Sequence, residues 1–317
     1  MRRFSTTSSA TGGLVACRPD AVSQSMAPAA TTASSELAKR IAFSAVAIPL
    51  AVWIVWSGGV ALALFLAGVS ALAAWEFYKL AIGSGSEPLW GHGVVFSALI
   101  PLFVHARMVG WWAPPVSIVM LLVLELLAVA LWVRGSAGKP LEVVGITLLG
   151  TFYTGGMMSF GYVMRYHEYS IGPLAGTLLV SLPLLLTWGT DSGAMLFGKA
   201  FGHKKLMPSV SPNKTVVGAI AGAAVAIVVA VVFVRFALQP YAKLTMPVLS
   251  AALFGLGVSV AGQIGDLVES MLKRQAGVKD SSNLIPGHGG ALDRVDSLLF
   301  TLPVAFVLYN VLLTAAP

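Results

Sequence analysis

From residue 41 onward, long apolar runs are broken by short polar interruptions. A helix needs about 20 apolar residues to cross the bilayer core. Runs close to that length fall at 41–57, 59–78, 92–106, 111–133, 142–163, 173–197, 216–235, 246–268 and 296–315. They are continuous rather than alternating with a period of two, and backbone in lipid must satisfy its own hydrogen bonds, so they predict helices and not a barrel. The expected fold is therefore all-α, a polytopic membrane protein with about nine transmembrane helices. The short third run, and Pro114 and Pro115 at the start of the fourth, leave eight and ten as alternatives. Three regions follow: a tail at 1–38, N-terminal membrane helices at 39–180 (five spans and the start of the sixth), and a region at 181–317 with polar loops at 199–215 and 269–294. No internal repeat is evident, so the inverted-repeat plan of many transporters finds no support.

Composition sharpens this reading. The chain is 57% hydrophobic and 10% charged, with a mean hydropathy of +0.84, against roughly 25% charged residues in an ordinary soluble domain. Its one cysteine, Cys17, excludes an internal disulfide framework and a Cys-rich metal site. The net charge of +7 reflects basic loops at an anionic membrane face rather than nucleic-acid binding. With the N-terminus inside, sixteen of the 20 Lys and Arg fall on the inner side, and only Arg107, Arg165, Arg235 and Lys243 fall outside. Both polar loops then face the cytoplasm. The Ser-, Thr- and Ala-rich tail predicts disorder. It reads as a bacterial tail, as an overlong start with Met26 as the true initiator, or as an organelle transit peptide; the expected location is a bacterial inner membrane, with an organelle membrane as the alternative.

Polar chemistry gathers where the eighth run ends. Asp266, Glu269, Ser270 and Lys273 stand at i, i+3, i+4 and i+7 and share one helical face. Ionisable groups at that depth cost free energy unless paired, which makes them functional candidates, with a salt bridge at the headgroups as the structural alternative. Downstream, Lys279 and Asp280 lead into a segment that Pro286, Gly287, Gly289 and Gly290 keep from being helical throughout. Bare backbone of this kind approaches phosphate oxygens closely. His288 either hydrogen-bonds a phosphate or shapes the turn. Asp293, Arg294 and Asp296 then enter the ninth run. A fold-back that joins Asp266 to Asp293 would make a hard-oxygen Mg²⁺ site. In the other polar block, Asp191 lies at the inner end of the sixth run, and Ser211, Lys214 and Thr215 cluster before the seventh. Glu76 and Glu125 lie in or near spans; Glu125 is expected to face another helix, and nothing nearby in sequence ties either to the basic loops.

The order S-x-x-K-R-x4-K-D-x5-P-G-H-G-G-x-x-D-R-x-D, running from Ser270 to Asp296, resembles the C-terminal motif of phosphatidate cytidylyltransferases, the CDP-diacylglycerol synthases. The run from Asp191 through "LMPSVSPNKT" to Gly218 resembles a second region of that family, and "AAWEFYKL" is a weaker echo. The resemblance covers roughly residues 185 to 300. It implies a nine-helix, often homodimeric membrane enzyme that condenses CTP with phosphatidate to CDP-diacylglycerol and pyrophosphate, using Mg²⁺ with a monovalent cation such as K⁺ assisting. The family's metal aspartates map onto Asp266 and Asp293. Lys273, Arg274, Lys279 and Arg294, with Lys214 and Ser211, are expected to hold phosphates, and Asp191, Asp280 and Asp296 to orient them. Met195 and Val217 depart from the family's usual aromatic and Glu or Gln. The competing readings are a CTP-dependent polyprenol or phytol kinase and a membrane transporter.

Overall fold

The structure is a computed structural model that describes residues 45, 46, 48–282, 284 and 289–316. The tail expected at 1–38, most of the glycine segment and His288 lie outside the described residues. Among the described residues nine helices follow in order: α1 (Ile48–Ser57), α2 (Gly59–Gly83), α3 (Trp90–Met108), α4 (Val116–Val133), α5 (Pro140–Arg165), α6 (Gly172–Phe201), α7 (Val216–Ala242), α8 (Val248–Gln275) and α9 (Leu292–Leu312). The eight from α2 to α9 are long and apolar enough to cross a membrane. The first is shorter, and the run at 41–57 that predicts it lies partly outside the described residues. The protein is an all-α polytopic membrane protein. Pro115, extended and without an N–H to donate, caps α4 and sets its start at Val116.

Two helices outrun their apolar windows, for a physical reason. The last two turns of α8 keep their polar residues on one face, which lowers mean hydropathy without breaking the backbone pattern, and the Glu269–Lys273 ion pair at i, i+4 spans the final turns. At the other side of the loop, α9 begins at Leu292, so Asp293, Arg294 and Asp296 are helical. The connecting segment is therefore shorter than the predicted loop at 269–294. The loop at 199–215 is also more ordered than expected. Its latter part is an antiparallel hairpin, β1 (Lys205–Met207) and β2 (Ser211–Thr215), in register Lys205↔Thr215 and Met207↔Ser211. Across the bundle a second pair, β3 (Leu244–Thr245) and β4 (Thr314–Ala315), ties the end of α7 to the end of α9.

Small residues set the helix spacing that shapes the site. In the first part of α7, Val216–Phe233, the buried positions are Gly218, Gly222, Ala226 and Ala230, one every four residues. This stripe lets neighbouring backbones approach, the usual basis of helix association in lipid. A Cβ on Gly222 would lie 2.7 Å from the Thr190 carbonyl oxygen of α6, so those two backbones are in contact. Asp191 is thereby held beside the start of α7. The N-terminal helices join the C-terminal ones through α5, whose π-helical stretch Phe152–Gly156 places Tyr153 between Phe77 of α2 and Phe300 of α9, with ring centroids at 5.8 and 6.2 Å.

Gly222→Val is expected to force α6 and α7 apart at a cost of about 1–3 kcal/mol. The check is the thermal unfolding midpoint of detergent-purified protein, which should fall for this variant and stay unchanged for Val228→Ala on the exposed face of the same helix.

Candidate functional site

The polar face of α8 meets partners from three other parts of the chain. Lys214, on β2, places its ammonium 2.6 Å from Asp266 Oδ2, and the Ser270 hydroxyl donates to Asp266 Oδ1 at 3.3 Å. One helical turn on, Lys273 Nζ stands between Glu269 Oε2 at 2.5 Å and Asp293 Oδ1 at 2.7 Å. These three side chains are 14%, 0% and 7% exposed, so the ammonium joins α8 to α9 where water screens little. The second oxygen of Asp293 accepts the Gly290 N–H at 2.8 Å, the Ser281 N–H at 3.1 Å and the Ser281 hydroxyl at 2.8 Å. Gly289, at φ +79°, supplies the left-handed turn that aims the Gly290 N–H inward. The glycine N–H that was expected to meet a phosphate is taken by this carboxylate.

Asp191 from α6 and Asp296 from α9 complete an acidic cluster. Each lies within Coulombic range of the other and of Asp266. Asp191, Asp266, Glu269, Asp293 and Asp296 thus face two ammonium groups, Lys214 and Lys273. Glu269 is fully buried and neither of its oxygens accepts a hydrogen bond, because the close Lys273 ammonium is poorly aligned. Excess carboxylate at low dielectric is costly without a cation, so the donor set fits a hard divalent ion. Among the described residues no three His, Cys, Asp or Glu side chains form a ready ligand set.

Beside the cluster lies a cavity of about 670 Å³. Asp191, Gln263 and Asp266 line it together with Lys199, Lys205 and Lys214, so acid and base share one enclosure. Thr215 lines it too and caps α7, its hydroxyl accepting the Gly218 N–H at 3.1 Å. Ser211 begins β2, opposite Met207. Arg274 reaches the hairpin tip, donating from Nε to the Val210 carbonyl at 3.3 Å. Lys279, Asp280 and Arg294 are exposed around the loop. Asp266 and Asp293 occupy the same helix pair, yet each is held by its own lysine.

One acid is placed differently from the sequence expectation. Glu76 of α2 is tied directly to the loop: it accepts the Ser281 hydroxyl at 2.9 Å, the Ser282 hydroxyl at 2.6 Å, and the Ala291 and Leu292 N–H groups at 3.0 and 2.7 Å. The signal was present, since a buried acid in a span must find donors, but the donors lie more than 200 residues away. Glu125 pairs with His92 at 3.2 Å, on α4 and α3. Gln263 was also missed; it donates to the Ala219 carbonyl at 3.2 Å from within the cavity wall.

The cavity, lined by acids and lysines, lies at the polar end of a helical membrane bundle. Residues 38–312 match the cytidylyltransferase family, and the chain belongs to that family. Its relatives include phosphatidate cytidylyltransferases of Bacillus subtilis, 42% identical over 53% of this chain and 58% of the relative, and of Haemophilus influenzae, 44% identical over 44% and 48%. That of Pseudomonas aeruginosa is 35% identical over 78% of this chain and 86% of the relative. The chain thus matches about half the length of the first two relatives and most of the third.

Lys273→Met is expected to destabilise the fold by about 3–5 kcal/mol, because it leaves buried carboxylates without their cation. Adding Glu269→Gln should recover part of that loss, as read from unfolding midpoints of the single and double variants in detergent.

Proposed function

We propose that this chain is a phosphatidate cytidylyltransferase, acting at the cytoplasmic face of a bacterial inner membrane. The observation that carries the reading is the cavity that sets three lysines against the Asp191 and Asp266 carboxylates at the edge of the bundle. A nucleoside triphosphate and a lipid phosphate are both polyanions. Bringing them together needs cationic walls and a divalent ion more than it needs a base.

The chemistry follows from charge. A phosphatidate phosphate oxygen, already anionic, attacks the α-phosphorus of CTP. The bond from that phosphorus to the α–β bridging oxygen breaks, and its electron pair departs with pyrophosphate. Lys199, Lys205 and Lys214 would bind and orient phosphate oxygens, which lowers the barrier by charge stabilisation and in-line positioning. Asp266 and Asp293 are the residues that would hold Mg²⁺, with Asp191 and Asp296 adding negative potential. When bound, Mg²⁺ supplies further neutralisation of the phosphate charge. Lys273 fixes Asp293, and Arg274 fixes the hairpin that carries Lys214. Acyl chains stay in lipid while CTP enters from the side that the basic loops face; the Lys and Arg asymmetry supports reading that side as cytoplasmic.

Purified protein given CTP, phosphatidate and Mg²⁺ should form CDP-diacylglycerol and pyrophosphate in equal amounts, and a chelator should abolish both. Asp266→Asn should lower kcat by about 100-fold or more, the scale of losing one electrostatic group at a reacting phosphate. Release of CDP in place of pyrophosphate would instead identify a lipid kinase.

A further inference from the structure

We infer that Glu76 is a positioning residue for the reaction proposed above: its carboxylate on α2 anchors Ser281, Ser282, Ala291 and Leu292 and so fixes where Asp293 points. The inference rests on that functional reading and extends it to α2, the helix that carries the weaker echo "AAWEFYKL". Glu76 is fully buried, and both of its oxygens are used. Oε1 takes the Ser282 hydroxyl and the Ala291 N–H, and Oε2 takes the Ser281 hydroxyl and the Leu292 N–H. Two of these donors open α9, where free N–H groups and the helix dipole favour an anion. The other two are loop hydroxyls. One side chain from a distant helix therefore holds both flanks of the glycine segment.

Its link to Asp293 is direct. The Ser281 hydroxyl lies 2.9 Å from Glu76 Oε2 and 2.8 Å from Asp293 Oδ2, so a single O–H stands between the two carboxylates. Gly290 is wedged at the same point: a Cβ there would collide with Ser281 Oγ and with the Glu76 carboxylate, while its N–H donates to Asp293. Asp293 takes one oxygen's partners entirely from residues that Glu76 holds or touches, and the other oxygen's from Lys273. Removing the Glu76 charge loosens the first set and leaves the Lys273 contact in place. The Asp293 carboxylate then keeps its neighbourhood and loses its direction.

The test is Glu76→Gln in purified full-length protein, which keeps side-chain size but turns an N–H₂ toward backbone donors. Three readings are taken: kcat and KM for CTP, the unfolding midpoint, and amide hydrogen exchange at Ala291 and Leu292. We expect kcat to fall about 10–100-fold, as misplacement on the order of 1 Å produces, with KM for CTP little changed. Exchange at Ala291 and Leu292 should quicken while the α6 and α7 amides keep their protection. Unchanged kcat, unchanged exchange at those two amides, or a kcat loss matched by loss of folded protein overturns the inference. If Glu76→Gln does not fold, Ser282→Ala decides, since it removes one donor to Glu76 and leaves the helix N–H bonds intact: a several-fold lower kcat at an unchanged midpoint supports the inference, and wild-type kcat overturns it. Wild-type protein without turnover would sink the proposed function, and the exchange reading still reports the anchoring separately.

Discussion

The site depends on a charge imbalance held at the lipid boundary. Five acidic side chains from three helices gather around Lys214 and Lys273, with Lys199 and Lys205 lining the adjoining cavity, in surroundings where an uncompensated charge costs several kcal/mol. Such an arrangement persists only if neighbouring structure holds the acids in place and if cationic groups offset their charge. The rest of the structure supplies the first condition. Glycine and alanine on α7 bring α6 and α8 close enough for Asp191 and Asp266 to share one cavity, and the hairpin carries Lys214 over it. Lys273 then links α8 to α9 through two buried carboxylates.

The same constraint explains why the N-terminal helices are present beside a site built from α6 to α9. Glu76 reaches from α2 into the loop, and Tyr153 in the π-helical part of α5 packs between α2 and α9. A loop rich in glycine is entropically expensive to order. Charged hydrogen bonds from a rigid, buried helix offset that cost more effectively than contacts within the loop, because the partner is already fixed. Helices distant in sequence from the C-terminal motif still determine its geometry.

Much of this was legible in the sequence, and the boundary between legible and hidden is physical. Apolar runs gave the helices because a span must be continuous to satisfy its backbone, and the face shared by Asp266, Glu269, Ser270 and Lys273 followed from helical periodicity alone. The ends of α8 and α9 were less legible, since a polar stripe on one face lowers a window's mean hydropathy while the helix continues beneath it. Pairings across the chain were not legible at all. Nothing in local pattern joins Glu76 to Ser281 or Lys214 to Asp266, and whether the N–H of Gly290 serves a ligand or a carboxylate depends on a turn that only the folded loop defines.

The central claim is that the acidic cluster is short of positive charge and takes up a hard divalent cation. Its most direct test needs no turnover: Mn²⁺, as a paramagnetic substitute for Mg²⁺, is titrated into detergent-purified protein and the free ion is followed by electron paramagnetic resonance. Saturable uptake near one ion per chain by the wild type, with weaker uptake by Asp266→Asn, is the predicted result. Equal uptake by both proteins, or none by the wild type with CTP present beyond what CTP alone retains, would contradict it.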